Sequence, residues 1–470
     1  MRTPILGAVL LAWGMGAAQA ADLLEAWLSA RQQHPDMAAA VASQAAGEAR
    51  RLQASRLWNP TVAAQATAGV MGSSTSAHGA AFSMPGAAPA AGVDFETSVR
   101  SGPGARWGIE ARWPLYSPER SAQERQLRLS AELADLQAAS IQQQLMLQTA
   151  QRYFAAVWSQ QQHVLLLQQQ VASERALAES RDRFALGDAP TTDVREAEAR
   201  ALAVSAQVQA ADIEMQIARQ ALAQTTGWNP TQLPPLHLPA QVDGAAAAAS
   251  QEVAIAPLPE WLATAARDNL LVRTQTQALA LAEQEAAKAA RAASTKVDVV
   301  SQAGGDHLSG SGRWGAASNA ARQFVVGVQI QVPLFTDGQQ DARQQELLRL
   351  RDKAQAELDS THLAIAQQVH ATWLQLQAGA ARTVALESAH RAAQSRLEAT
   401  QLGREVGDRT TLELLQAQND ATLAASNLLQ HRVRRAQDRL HLLALAGRLN
   451  EAALQSATDA DRTLPSPKHP

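Results

Sequence analysis

The sequence predicts a mainly α-helical fold with a membrane β contribution of four strands per chain, built as two copies of one structural half. Three observations predict it. Landmark motifs recur 219 or 220 residues apart. Two very long segments carry an unbroken helical pattern, and each is preceded by a stretch in which apolar and polar residues alternate strictly.

The duplication is read from paired landmarks. Trp113-Pro114-Leu115-Tyr116 is echoed by Val332-Pro333-Leu334-Phe335, and Gly187-Asp188 by Gly407-Asp408. The tract ending at Thr226-Gly227 is echoed by the one ending at Ala446-Gly447; upstream, at a wider spacing, Trp27-Leu28 matches Trp261-Leu262. The organisation that follows is a secretory signal peptide over 1–20, a first repeat over 21–227, a Pro-rich linker over 228–259, a second repeat over 260–447 and a polar tail over 448–470. The signal peptide is inferred from Arg2, the apolar run Ile5–Ala18 and the small-x-small site Ala18-Gln19-Ala20; the run is too short to span a bilayer. A buried N-terminal helix is the competing reading. The prolines of the linker forbid a continuous helix, and the tail is expected to be loosely held.

Helices are predicted over Ser117–Phe184 and Gln339–Leu402. At 1.5 Å per residue each is roughly 95–100 Å long. In the second, Leu347, Leu350, Ala354, Leu358, Thr361, Ile365, Val369, Thr372 and Leu376 recur at spacings of three and four. Leu412, Leu415, Leu429, Val433, Leu440 and Leu443 continue the period after the break. Such a stripe is a coiled-coil seam, and its Ala and Thr positions let helices approach closely.

Strands are predicted where the period falls to two. Phe324, Val326, Val328, Ile330 and Val332 alternate with Gln323, Gly327, Gln329 and Gln331. Trp107, Ile109, Ala111 and Trp113 alternate with Gly108, Glu110 and Arg112. Partner strands are expected over Pro60–Val70 and Lys296–Gly304, with irregular Gly/Ala/Ser-rich loops over Met71–Gly104 and Asp306–Ala320. The lengths suit tilted membrane strands, and Trp suits the lipid–water interface. A soluble sandwich edge is the bland alternative.

Composition excludes several classes. A net charge of −3 gives no electrostatic support for nucleic-acid binding. No Cys is present, so there is no disulfide, thiolate metal site or lipid-anchored cysteine. The eleven His are scattered, with no His-Glu-x-x-His, no Gly-x-x-x-x-Gly-Lys and no Gly-x-Ser-x-Gly. An enzyme is therefore not expected, nor a cofactor or metal.

Four strands do not close a membrane barrel, and an open edge in lipid leaves backbone groups unpaired at several kcal/mol each. Copies must therefore share a barrel. Two copies would give eight strands, whose interior fills with side chains, so three or more are favoured.

The order of these elements, with both Pro-Leu-aromatic junctions (Pro114 and Pro333) and both glycine breaks (Gly187 and Gly407), resembles the TolC-type outer membrane factor family over roughly Ala21–Gly447. The resemblance implies a homotrimer in the outer membrane of a Gram-negative bacterium, with a twelve-strand barrel and a periplasmic helical tunnel. It implies docking to a periplasmic adaptor (a membrane fusion protein) and an inner-membrane pump, in efflux of drugs or metals or in type I protein secretion. A periplasmic coiled-coil adaptor or scaffold is the alternative.

By the same resemblance Arg409 matches the gating arginine of the periplasmic tip, and Thr192 and Asp193 its partners. Arg404 stands where the family often has Tyr. Glu413 matches a lumen-facing acid, while Gln416 replaces a second one, which implies weaker cation selection. The adaptor is expected at Arg183, Phe184, Leu186 and Gly187, with Gly403, Val406 and Gly407; plain packing between subunits is the alternative. From the residues alone, Thr191 or Thr192 suits a helix cap, and Thr410 with Glu413 forms a capping-box pattern. Asp193 and Glu413 also simply favour helix N-termini.

Overall fold

The computed structural model describes residues 23–228, 233, 256–312, 315–334 and 338–459. The signal segment, nearly all of the Pro-rich linker and Phe335 lie outside the described residues. The elements run α1 (Leu23–Gln33), α2 (Pro35–Arg56), β1 (Thr61–Phe82), β2 (Ala90–Tyr116), α3 (Pro118–Ala185) and α4 (Thr191–Thr226). They continue with α5 (Leu258–Asp268), α6 (Leu270–Ala290), β3 (Lys296–Gly312), β4 (Gly315–Gln331), α7 (Gln339–Glu405), α8 (Thr411–Leu445) and α9 (Glu451–Asp459). Helix pair, strand pair, very long helix and shorter helix thus occur twice in the same order.

The chain forms two compact units. The first comprises 1–44, 134–276 and 357–470, the second 45–133 and 277–356. The first unit is helical. Its largest core gathers Trp27, Phe154, Leu222, Leu440 and Leu454, all fully buried. The Tyr153 and Phe154 rings meet edge to face at 5.7 Å. Burying each such side chain stabilises the fold by about 1.5–3 kcal/mol. The predicted α7 stripe is largely inward: Leu347, Leu358, Ile365, Val369, Thr372 and Leu376 are buried, whereas Leu350 is exposed.

The described part of the tail, up to 459, differs from expectation, and 460–470 lie outside the described residues. Residues 451–459 form α9, whose Leu454 inserts into that core and whose Glu451 accepts from Trp27 Nε1 at 3.3 Å and pairs with Arg31 at 3.1 Å. A single buried leucine and one anchored carboxylate suffice to hold a short polar helix.

The second unit contains a four-stranded antiparallel sheet in the order β1-β2-β3-β4. Directly opposed residues share a face. The register aligns Ala64, Ile109, Ala303 and Phe324 in one row, and Trp113, Val299 and Val328 in another. The opposite face carries Glu110 with Gln302, and Pro114 with Asp298 and Gln329. There Arg112 pairs with Glu110 at 3.0 Å and with Asp298 at 3.8 Å. One face is therefore mainly apolar and the other mainly polar, as the alternation predicts, with Val300, Leu308 and Val325 the exceptions on the polar face and His307 and Arg322 on the apolar one.

The irregular loops expected over Met71–Gly104 and Asp306–Ala320 are instead ladder. β1 and β2 stay paired to Phe82↔Ala90, and β3 and β4 to Gly312↔Gly315. These segments are small and polar, so alternation vanishes, yet backbone hydrogen bonding needs no side chain. The β2–β3 pairing skips Gly102 and Pro103. Backbones crowd there: a Cβ on Gly102 would lie 1.9 Å from the Ser309 carbonyl oxygen, and one on Gly310 2.5 Å from that of Ser101.

Pro114 does not mark the end of its strand. It sits within β2 opposite Asp298, beyond the last β1 pair, Thr61↔Arg112, where β2 has one neighbour and a proline is tolerated. The turn into helix falls at Ser117, whose Oγ accepts from Arg120 N at 3.2 Å, with Pro118 as first helical residue. Pro333 lies between β4 and α7.

Candidate functional site

Two hairpins, α3–α4 and α7–α8, carry the predicted gate and adaptor residues, all within the helical unit. Both turn by one mechanism. In the first, Gly187 has φ +82°, its N–H donates to the Phe184 carbonyl at 3.0 Å, and Asp188 N–H to that of Arg183 at 2.8 Å. In the second, Gly407 has φ +82°, with Gly407 N–H to Arg404 at 3.0 Å and Asp408 N–H to Gly403 at 2.8 Å. This is the Schellman arrangement, which needs a left-handed residue at the glycine. A Cβ on Gly407 would meet nothing within 4 Å. Gly407→Ala is therefore expected to cost about 1–2 kcal/mol through backbone strain alone. A matching increase in protease sensitivity at the tip checks it.

The next helices start differently. Thr410 and Glu413 form a full capping box: Glu413 N–H donates to Thr410 Oγ1 at 3.2 Å, and Thr410 N–H to Glu413 Oε2 at 2.8 Å. At the first hairpin the cap expected from Thr191 or Thr192 is not made. Pro190 occupies the cap position without a side-chain bond, because it stands directly before Thr191 and supplies an extended backbone itself. Thr192 Oγ1 donates instead to Asp193 Oδ1 at 3.4 Å.

Arg409 pairs with Glu413 at 3.0 Å along its own helix start. Its stem folds across Gly403, where a Cβ would fall 2.7 Å from Arg409 Cγ. Within the chain, no ion pair joins Arg409 to Asp193 among the described residues. The Thr410 backbone N–H, and after it the Arg409 side chain, hold the Glu413 carboxyl below its usual range. A depressed carboxylate stabilises the fold above its unfolded value, and that contribution fades as pH falls through the folded value. Tip protection from proteolysis is therefore expected to weaken only in acid below the ordinary glutamate range. Glu413→Gln should flatten that response.

Arg404 is placed unlike the other tip charges. It forms an ion pair with Glu179 of α3, and its side chain is only 15% exposed. Further cross-helix contacts back it: Arg181 with Glu198 at 3.4 Å, Arg396 with Asp420 at 2.8 Å, and Arg200 with Asn419. Sequence reasoning missed Glu179, Glu198, Asp420 and Asn419. They have no motif, and only the rotational phase of neighbouring helices pairs them. Arg183, Phe184, Leu186 and Val406 project outward, with Leu186 77% and Val406 81% exposed. Large apolar groups beside an open glycine at both turns make a surface suited to another protein's helix. Among the described residues, no group of three or more His, Asp or Glu is placed to hold a metal ion. No described helix is long and apolar enough to cross a membrane.

A sequence profile described as outer membrane efflux protein matches residues 28–228 and 261–448. The chain belongs to the outer membrane efflux protein family. It resides in the outer membrane. It is 26% identical over 251 residues to the outer membrane efflux protein BepC of Brucella suis, covering 53% of this chain and 52% of that protein. The match thus spans about half the length of that relative. It is 25% identical over 453 residues to the proteases secretion protein PrtF of Dickeya chrysanthemi, covering 96% and 93%. The crystal structure of VceC from Vibrio cholerae has a similar fold, with a TM-score of 0.69 at 16% identity over 90% of this chain and 96% of that one. Family and fold are those of outer-membrane channels rather than enzymes.

Proposed function

We propose that this outer membrane efflux protein is a passive exit duct, conducting substrates from an inner-membrane pump across the outer membrane in efflux or type I secretion, without chemistry of its own. The observation that carries this reading is the sheet. It has one mainly apolar and one mainly polar face, and both edges, β1 and β4, are without a partner strand among the described residues. Unpaired edges in lipid are too costly to persist. Further copies satisfy them: three chains would give a closed twelve-strand barrel, with the polar face of Arg112, Glu110 and Asp298 lining the lumen.

The helical hairpins would form the periplasmic tunnel and its gate. Arg409, Thr192 and Asp193 are the groups available between neighbouring copies, while Arg404 with Glu179 ties α7 to α3 inside each copy. Arg183, Phe184, Leu186, Gly187, Gly403, Val406 and Gly407 would receive the periplasmic adaptor.

In-cell photo-crosslinking from Ala189, with mass spectrometry of the trapped partner, tests this. A periplasmic adaptor together with higher oligomers of this chain is the expected product. A soluble partner with no oligomer would sink the duct and favour a periplasmic scaffold.

A further inference from the structure

We infer that Arg322, on the apolar face of β4, binds the phosphate of a phosphorylated glycolipid headgroup in the outer leaflet; this rests on the outer-membrane reading above. The register is the first observation. Arg322 lies opposite Gly305, which in turn lies opposite Trp107, so all three share the face of Ile109, Ala303 and Phe324. The cation therefore does not point to the polar, lumen-side face, where Arg112 already has its carboxylates.

The second observation is depth. Phe324, Val326, Val328 and Ile330 occupy this face and Val332 follows directly after the strand, all more than half exposed. Eight residue steps at about 3.3 Å span roughly 26 Å along the strand, which a tilt of about 40° reduces to roughly 20 Å of membrane depth. Arg322 is the next position on that face beyond Phe324, on the side of the β3–β4 hairpin. The helices leave from the opposite ends of the strands, so the hairpin side is the outer side. Arg322 thus stands at headgroup level, not in the hydrocarbon.

The third observation is what surrounds it. Gly305 leaves no side chain between Trp107 and Arg322, and a Cβ there would lie 3.3 Å from Trp107 Nε1. The half-exposed Trp107 indole therefore covers the gap, an interfacial anchor whose Nε1 lies over Gly305 in the row that Arg322 shares. His307, two residues along β3 from Gly305, shares the face and is hydrogen-bonded with Ser309 Oγ at 3.1 Å. Arg322 is exposed and has no hydrogen bond or ion pair among the described residues. A guanidinium at a lipid boundary with no acid of its own matches a phosphate oxygen pair, which it binds through two parallel N–H bonds. Trp107 and His307 flank the same position.

The test is lipid retention by the full-length protein, purified as its oligomer, read by native mass spectrometry. The probes are bisphosphorylated lipid A and its dephosphorylated form, with inorganic phosphate as competitor. Wild type is expected to retain the phosphorylated lipid about tenfold better. Arg322→Gln should erase that preference, Arg322→Lys should restore part of it, and Arg106→Gln on the polar face should leave it unchanged. Competition by millimolar inorganic phosphate would assign the site to free phosphate and overturn the lipid. Equal retention of both lipids, or unchanged retention by Arg322→Gln, would also overturn it. Outer-membrane fractionation and oligomer formation are scored on every variant. If wild type fails to fractionate there, the location falls; if it fractionates normally and retention ignores Arg322, only this site falls.

Discussion

Val328→Arg is expected to remove the chain from the outer-membrane fraction and abolish its oligomer, whereas Gln329→Arg, one residue away, leaves both intact. Val328 is the centre of the apolar run from Phe324 to Val332 and shares its row with Val299 and Trp113. It is 62% exposed in the single chain, so the cost arises from lipid and not from lost packing. An arginine near the bilayer midplane of a barrel costs about 2–4 kcal/mol. Three copies sharing one barrel would multiply this to about 6–12 kcal/mol, comparable to the whole stability of many domains. Gln329 faces the other way, opposite Asp298. An arginine there gains a carboxylate and contacts water. Equal loss in both variants would mean that the two faces are not solvated differently, and the membrane assignment of the sheet would fail.

Arg404→Glu is expected to loosen the periplasmic tip and admit bulky solutes, seen as greater sensitivity to a large antibiotic and higher single-channel conductance. The substitution sets a second carboxylate against Glu179 in a site where the Arg404 side chain is mostly buried. A charge-assisted hydrogen bond contributes about 1.5–3 kcal/mol. Glu179 is 46% exposed, so solvent screening brings the expected loss to about 1–2 kcal/mol. That is about a five- to thirty-fold change in the closed-to-open ratio. The exchange Arg404→Glu with Glu179→Arg should recover the closed behaviour. If the exchange leaves the tip open, Arg404 acts through some other contact.

Legibility varied with the range of the interaction. The two faces of the sheet follow from a period of two, and the tip turns from glycines at matching positions. The Thr410–Glu413 box could be read because all its parts lie within four residues. Strand length could not be read past Val70, because Gly, Ala and Ser carry no alternation. Pro114 misled for a related reason: whether a proline ends a strand depends on whether a neighbour needs its N–H, and β1 stops short of it. The cap expected from Thr191 or Thr192 failed because Pro190 had already set the backbone.

Local chemistry in the chain thus decided which residues turn, which cap, and which face of each strand is apolar. Tertiary structure alone decided that Arg404 meets Glu179, that Leu454 completes a core begun at Trp27, and that Arg322 lies in a row with Trp107. These pairings join residues far apart in sequence. They depend on helix phase and strand register, which are fixed only when whole elements pack and every backbone group finds its partner.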